Sequence, residues 1–470
     1  MKMRSLVVWL CLGVFGTLVL MARVWYKDRI INLDMAFQTF LILKSGSLEI
    51  QSGRFGAAAT QVWPWAAQAL GLPLKGVLMA YSLGHALWPA ILAFFCWRIG
   101  QWRWSLAIGM VATLMTTHTF YWLSEMPAGL VFLCAVFAWM HSKGSFAVFR
   151  WWEWPLWLGA LVTAFYFHPL VLYAHAFLCV FFLLEKDKPR TWAWMHLTAL
   201  GIFGALTILK YKVLKLDWYD AVAIKRQEAF GKLWPHWLDI ESNRKFLEWS
   251  TKDYWLLWIV IVACVVFYVS KRFWLKASFV AAWPLAFVIM VNVPYYEAVG
   301  QQFYMENLYL PLAVFASIPL IFDVLKEKNQ PDQLTKNGVT ILGILFTINL
   351  LRIGQAHQTW AEKLKWEQTF LEETAKRSER KIVLSEKQVP MQTLKMSWGS
   401  PYEFLMLSSL THPDGARCLI IHDSPERFDS LLTRPRLFFG TFKNYPFEVL
   451  PKTYFNFQDT SGYIRWYATH

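Results

Sequence analysis

Long apolar runs separated by short basic turns set the layout of this chain. Runs lie near 5–22, 76–97, 104–122, 126–141, 154–167, 169–184, 192–210, 254–270, 277–293, 307–323 and 337–354. Each approaches the roughly 20 apolar residues that a helix needs to cross a bilayer. The pattern predicts an all-α polytopic membrane protein with about eleven transmembrane helices. The fifth and sixth runs are short and meet at Phe167-His168-Pro169, where proline disfavours a continuous helix. One long kinked span, or a pair that does not fully cross, is the alternative there.

Beyond 355 the pattern changes. Residues 360–381 have helical spacing with i,i+4 charge pairs, 382–384 start a strand, and 400–410 read as a helix. Residues 417–422 (RCLIIH) read as a buried strand, 425–432 as a short helix, and 438–467 alternate like strands. The expected organisation is a transmembrane helical domain, 1–355, with outer loops 23–75 and 211–253. A small extracytoplasmic α/β domain, 356–470, follows. The linker 326–337 reads as disordered, and no internal repeat is present.

Composition supports the membrane class. Of 470 residues 56% are hydrophobic and only 17% charged, against about 25% charged in soluble domains. The 28 Trp suit aromatic belts at the two interfaces. The net charge of +14 is not a nucleic-acid signal, because the bases fall mostly in short loops and flanks. Lys2 and Arg4 place the N-terminus in the cytoplasm. Arg98, Arg103, Lys143, Arg150, Lys186, Lys188, Arg190, Lys271, Arg272, Lys276, Lys326, Lys328 and Lys336 then fall on that same side. The first apolar run resembles a signal peptide but ends in Met21-Ala22-Arg23 without a small-residue cleavage site, and reads as a retained span. Five of the six cysteines lie in apolar runs and Cys418 lies in the tail, so no disulfide framework or metal spacing emerges.

The stretch 30–56 carries the first candidate chemistry. Asp34 stands at its head among apolar residues and Arg54 at its tail. A segment like this lies flat at a membrane surface, where a carboxylate is costly unless it has work or a partner. Asp34 then faces an outward cavity, or it caps a helix that begins at Met35. A cytoplasmic N-terminus, a long first outer loop carrying an acidic residue, about ten further spans and a soluble outer C-terminal domain resemble the GT-C superfamily of integral-membrane glycosyltransferases. The segments INLDMAFQTF…GRFGAAATQVWPWAAQALGLPL and QQFYMENLYLPLAVF are similar in layout to that superfamily's first loop and late-span entry. The superfamily often has two adjacent first-loop acids; here Met35 follows Asp34.

The resemblance implies a polyprenyl-phosphate-sugar donor and a carboxylate that takes the proton from the acceptor hydroxyl. Fixed cations would stabilise the lipid phosphate as it leaves, and arginine's planar fork suits phosphate. Asp34 is the expected base and Arg54 the first-loop phosphate ligand, or a side chain snorkelling to headgroups. His168, at the helix break, binds phosphate, shuttles a proton or satisfies freed backbone groups. Glu125 touches substrate or only favours a helix start. Lys225 and Arg226 are a second phosphate contact or part of an amphipathic surface helix. Glu297, Gln302, Tyr304 and Glu306 read sugar hydroxyls or line an ordinary interface, and Asp217 and Asp220 read as a solvated loop end. The acids and the pair His168 and His175 do not have metal spacing, so no cofactor is expected and a divalent ion is unsupported.

The expected function is therefore sugar transfer on the outer face of a bacterial-type inner membrane, to an acceptor the sequence does not specify. Membrane lipids and the donor are the expected partners, and nucleic acid is not. A lipid or polysaccharide transporter, or a non-catalytic scaffold of an envelope complex, is the alternative. A transporter more often shows inverted repeats and broken spans in matching halves.

Overall fold

The computed structural model describes the chain except residues 1, 186–187, 298–300, 327–333, 377–379 and 467–470. Lys186, Lys328 and most of the 326–337 linker therefore lie outside the described residues, as do parts of the 360–381 and 438–467 predictions. The chain begins with α1 (Lys2–Val24), α2 (Tyr26–Ile30), α3 (Leu33–Ser45), α4 (Ala58–Ala69), α5 (Leu74–Arg98) and α6 (Trp102–Val111). Next come α7 (Glu125–Lys143), α8 (Glu153–Phe165), α9 (Val171–Leu183) and α10 (Arg190–Ile208). An excursion follows, α11 (Trp218–Arg226), α12 (Ala229–Lys232) and α13 (Glu241–Lys252). The helical part closes with α14 (Trp255–Ser270), α15 (Trp274–Asn292), α16 (Gln302–Tyr309), α17 (Pro311–Pro319) and α18 (Lys336–Ala375).

Among the described residues six helices are long and apolar enough to cross a membrane: α1, α5, α7, α10, α15 and α18. Two bent pairs, α13 with α14 at 88° and α16 with α17 at 46°, bring the number to eight. The predicted runs at 154–167 and 169–184 form α8 and α9, of 13 residues each. At 1.5 Å per residue each is about 20 Å long, short of a hydrocarbon core of about 30 Å. Large apolar side chains are exposed along the sides of the bundle, among them Trp9, Leu20, Phe94, Ile259, Val266 and Leu351. In water such faces would associate; against lipid they need no cover. These helices are compatible with an integral membrane protein.

The predicted run at 104–122 is helical only through α6, and 112–124 leaves the helix. Glu306 explains how that backbone survives inside the bundle. Its carboxylate, fully buried on α16, accepts the N–H groups of Thr117 and Thr119 at 2.8 Å each. It also accepts both threonine hydroxyls and the Tyr254 hydroxyl. Arg352 on α18 donates to the Leu114 carbonyl at 3.3 Å. Broken backbone away from water is tolerated only where the protein supplies such partners. The sugar-reading role considered for Glu306 has no room here, because its oxygens are already taken. The broken segment delivers Trp122 to the end of the bundle where α3 lies.

The C-terminal part contains β1 (Lys381–Ser385), α19 (Met391–Leu394), α20 (Ser400–Ser408), β2 (Cys418–His422) and three two-residue strands. These are β3 (Leu437–Phe438), β4 (Tyr445–Pro446) and β5 (Ile464–Arg465). The sheet order is β2-β1-β5, all parallel, with β3 and β4 as a separate antiparallel pair. The alternation of 438–467 yields only short strands, because its aromatics pack sideways into the core: Phe439 stacks on Tyr463 at 3.8 Å and Phe447 on Phe457 at 4.2 Å. Lys381 is buried at the sheet's start and donates to the carbonyls of Pro435, Asp459 and Ser461. That caging by carbonyls is what lets an ammonium group sit inside.

Two features join this part to the bundle. Helix α18 runs unbroken for 40 residues, about 60 Å, so the expected boundary at 355/356 falls inside it. Helix α3 shares one apolar core with the sheet and α20: Met35, Ala36 and Phe40 bury with Val383, Tyr402, Leu405 and Phe438. The stretch 30–56, expected to lie flat at a membrane surface, is therefore covered by protein over α3.

Candidate functional site

Asp34 lies in the first turn of α3, which starts at Leu33 with Asn32 as its N-cap. It is a helix residue and not the cap. Its carboxyl is half-buried, between Glu125, Arg54, the Trp122 indole and Glu403. Burial, with repulsion from Glu125, pushes it up to about 7, Trp122 and Arg54 pull it down, and Glu403 adds to the rise. A group poised there exchanges protons near neutral pH.

Arg54 reaches this site because the turn that carries it is pinned. Gly56 lies so close to Phe167 that a Cβ would meet the ring at 2.5 Å, and its N–H donates to the Tyr166 carbonyl at 3.4 Å. Phe55 stacks on Tyr166 at 4.7 Å. The first loop is thus moored to the break between α8 and α9. From there the Arg54 guanidinium pairs with Glu125 and lies 4.8 Å from the centre of the Tyr219 ring. It does not snorkel: its side chain is only 14% exposed. Glu125 opens α7 behind the N-cap Ser124, whose hydroxyl donates to Asn307 at 2.6 Å.

His168 is buried at that break. Its Nδ1 accepts the Leu170 N–H at 3.2 Å, the backbone duty considered for it. Arg54 and Lys210 are its charged neighbours. His175 instead stacks on Phe203 at 3.6 Å and makes no pair with His168. Asp217 caps α11 through the Asp220 N–H. Asp220, expected in solvent, is buried and pairs with Lys210 at 2.8 Å.

Helix α11 links two halves of the site. Tyr219 at its start meets Arg54, and Arg226 at its end lies 4.5 Å from the centre of the Tyr295 ring. Tyr304 adjoins Tyr295, Tyr219 and Arg226, and packs on Trp122 at 5.6 Å. Three tyrosines therefore lie between two guanidinium groups, with Trp122 leading back to Asp34. Beside them is an open cleft of about 460 Å³, lined by Lys225, Arg226, Lys232, Tyr295, Tyr296 and Glu297, among others. That volume falls in the range of small-molecule sites, about 300–1,000 Å³.

The residues singled out from the sequence fall into separate groups, and Glu306 and His175 are buried elsewhere in the bundle. Asp34, Arg54 and Glu125 form one cluster with His168 behind it; Tyr304 and Arg226 continue it; Lys225 and Glu297 rim the cleft. Trp122, Tyr219, Tyr295 and Glu403 were not legible as neighbours of Asp34, Arg54 and Arg226, since only long-range packing brings them there. A second polar group lies elsewhere in the bundle: His141 and His196 share an Nε2–Nε2 contact of 3.0 Å, closed by Trp104 and the Trp192 carbonyl. Among the described residues no group of three or more His, Cys, Asp or Glu could hold a metal ion. In comparisons with known proteins the chain matches no family model, no curated protein and no solved structure.

Proposed function

We propose that this chain is an integral-membrane glycosyltransferase of GT-C type, moving a sugar from a polyprenyl-phosphate donor to an acceptor hydroxyl on the outer face of the membrane. The observation that carries the reading is a proton-exchanging carboxyl, Asp34, beside Arg54, with α11 running from Tyr219 at that cluster to Arg226 at the rim of an open cleft. In this reading Asp34 takes the acceptor's proton as its oxygen attacks the anomeric carbon. Arg226 and Lys225 hold the departing phosphate, and Arg54 is kept in place by Glu125 and Tyr219. The tyrosines between them offer hydroxyls to sugar. The reading counts eleven crossings, with α6 plus 112–124, α8 and α9 as the short ones. Transport is supported less, because the inner polar groups, Glu306 and the His141–His196 pair, are engaged with protein partners.

The test is release of polyprenyl phosphate from polyprenyl-phosphate sugars by the purified chain in lipid vesicles, with envelope extract as the acceptor source. Wild type is expected to turn over. Arg226→Ala is expected to slow kcat/KM by about 100-fold through loss of a phosphate contact. Wild type inert toward hexosyl and pentosyl donors alike would end this reading.

A further inference from the structure

The start of α3 is held from outside the bundle. Glu403, 1% exposed on α20, accepts the Leu33 N–H at 2.6 Å and the Lys363 ammonium at 2.6 Å through the same oxygen. Lys363, on α18, also pairs with Glu367 at 2.9 Å and reaches the Asn32 side-chain oxygen at 3.4 Å. Leu33 has φ +38, which a branched side chain rarely adopts, so something must hold it. Gly399, just before α20, approaches so closely that a Cβ there would meet the Leu33 Cα at 2.8 Å. One segment of the C-terminal half, from Gly399 to Glu403, thus closes on the residue that precedes Asp34, and Lys363 of α18 reaches the residue before that.

We propose that the C-terminal domain is a working part of the site, with Glu403 the positioning residue that fixes the Leu33 amide and through it the Asp34 carboxyl. The proposal rests on Asp34 being the functional acid. Its geometry does not depend on which reaction that acid serves. An amide locked at 2.6 Å on a salt-bridged carboxylate sets the first turn of α3 more firmly than solvent would. The joint also carries charge. Two carboxyl groups, Glu403 and Glu367, share the one Lys363 ammonium close to the start of α3. The charged groups facing Asp34 are Glu125 and Arg54 from the bundle and Glu403 from the domain, with Tyr81 and Trp122 as polar neighbours. Asp28 and His357, paired at 3.6 Å, lie beyond Glu367. Loosening the domain at this point therefore both moves Asp34 and changes its affinity for a proton.

The experiment is labelling of Asp34 by dicyclohexylcarbodiimide in the full chain in detergent micelles, read by mass spectrometry of the Asp34 peptide across pH. The reagent attacks protonated carboxyls, so wild-type labelling should fall as pH rises through about 7. In Glu403→Ala the midpoint should move down by roughly half a pH unit or more, since a like charge is gone. The labelling rate at acid pH should also change by roughly threefold as the turn loosens. Glu403→Gln, which keeps an acceptor for Leu33, should restore the rate but not the midpoint. Lys381→Met, which loosens the domain away from the joint, should leave the curve in place. If Glu403→Ala does not fold, Gly399→Ala replaces it, with the rate change expected because its methyl displaces Leu33. The proposal is overturned if the folded joint variant gives the wild-type curve, or if Lys381→Met shifts the curve as far. Absence of sugar transfer in wild type would remove the transferase reading and leave this result standing.

Discussion

Asp34→Asn is expected to lower sugar transfer by about 100- to 10,000-fold while donor binding changes little, the mark of a lost general base. Asparagine keeps the shape of the side chain and one acceptor oxygen, so α3 and its joint with the C-terminal domain should stand. What it removes is the ability to take a proton. The pH profile adds a second reading. A base held at about 7 is charged above that value and protonated below it. Transfer should therefore level off above about pH 7 and fall close to tenfold per unit below. Arg54 holds the Asp34 carboxyl down and Glu125 pushes it up. Arg54→Gln should accordingly move the inflection to higher pH, and Glu125→Gln to lower pH. Steady-state rates in vesicles between pH 5 and 9 would check both. Retention of most of the wild-type rate by Asp34→Asn would leave Asp34 without the assigned role.

Glu306→Leu is expected to prevent formation of the folded bundle. The Glu306 carboxylate accepts two backbone N–H groups and three hydroxyls, all buried. Each donor stranded without a partner costs about 1–3 kcal/mol. Summed over the two amides and Tyr254 alone, the loss is about 3–9 kcal/mol, the scale of a whole domain's stability. Glu306→Gln keeps one acceptor oxygen but turns a donor toward the remaining groups, so it should fold with a lower melting temperature. Fluorescence-detected size exclusion and thermal melts in detergent would separate the outcomes. If Glu306→Leu were as monodisperse as wild type and melted at the same temperature, 112–124 would draw its stability from elsewhere.

Much of this architecture was legible in the pattern of the chain. The long apolar runs became α1, α5, α7, α10, α15 and the first half of α18, because a bilayer-length run leaves a helix few alternatives. The strands around 382–384 and 417–422 were legible because short β-branched runs bounded by polar turns are a local signal. The run at 104–122 misled, since hydropathy cannot see that Thr117 and Thr119 donate to a carboxylate 189 and 187 residues away. The continuity of α18 was hidden for a similar reason: its apolar and charged halves read as separate elements, yet nothing between Arg352 and Trp360 breaks the helix.

At the site, Asp34 stood out as a charge in apolar surroundings, and that rarity is a signal composition carries; Arg54 stood out as the base at the tail of the same stretch. Tyr219, Tyr295 and Trp122 did not stand out, because aromatics are common throughout a chain with 28 Trp, 36 Phe and 18 Tyr. Glu403 was invisible for the opposite reason. It sits in a soluble-looking helix where a glutamate is ordinary, and only its contact with the Leu33 amide makes it notable.

In the proposed function, the region from Asp34 to Arg226 holds a lipid-linked phosphate and its sugar. The most direct measurement is a structure of the chain in a lipid nanodisc loaded with polyprenyl phosphate. Phosphate density is expected in the cleft against Arg226 and Lys225, with the polyprenyl chain leaving sideways into lipid and Asp34 on the side of the sugar. Phosphate bound at another place, with Asp34 and Arg226 facing only protein and solvent, would contradict it.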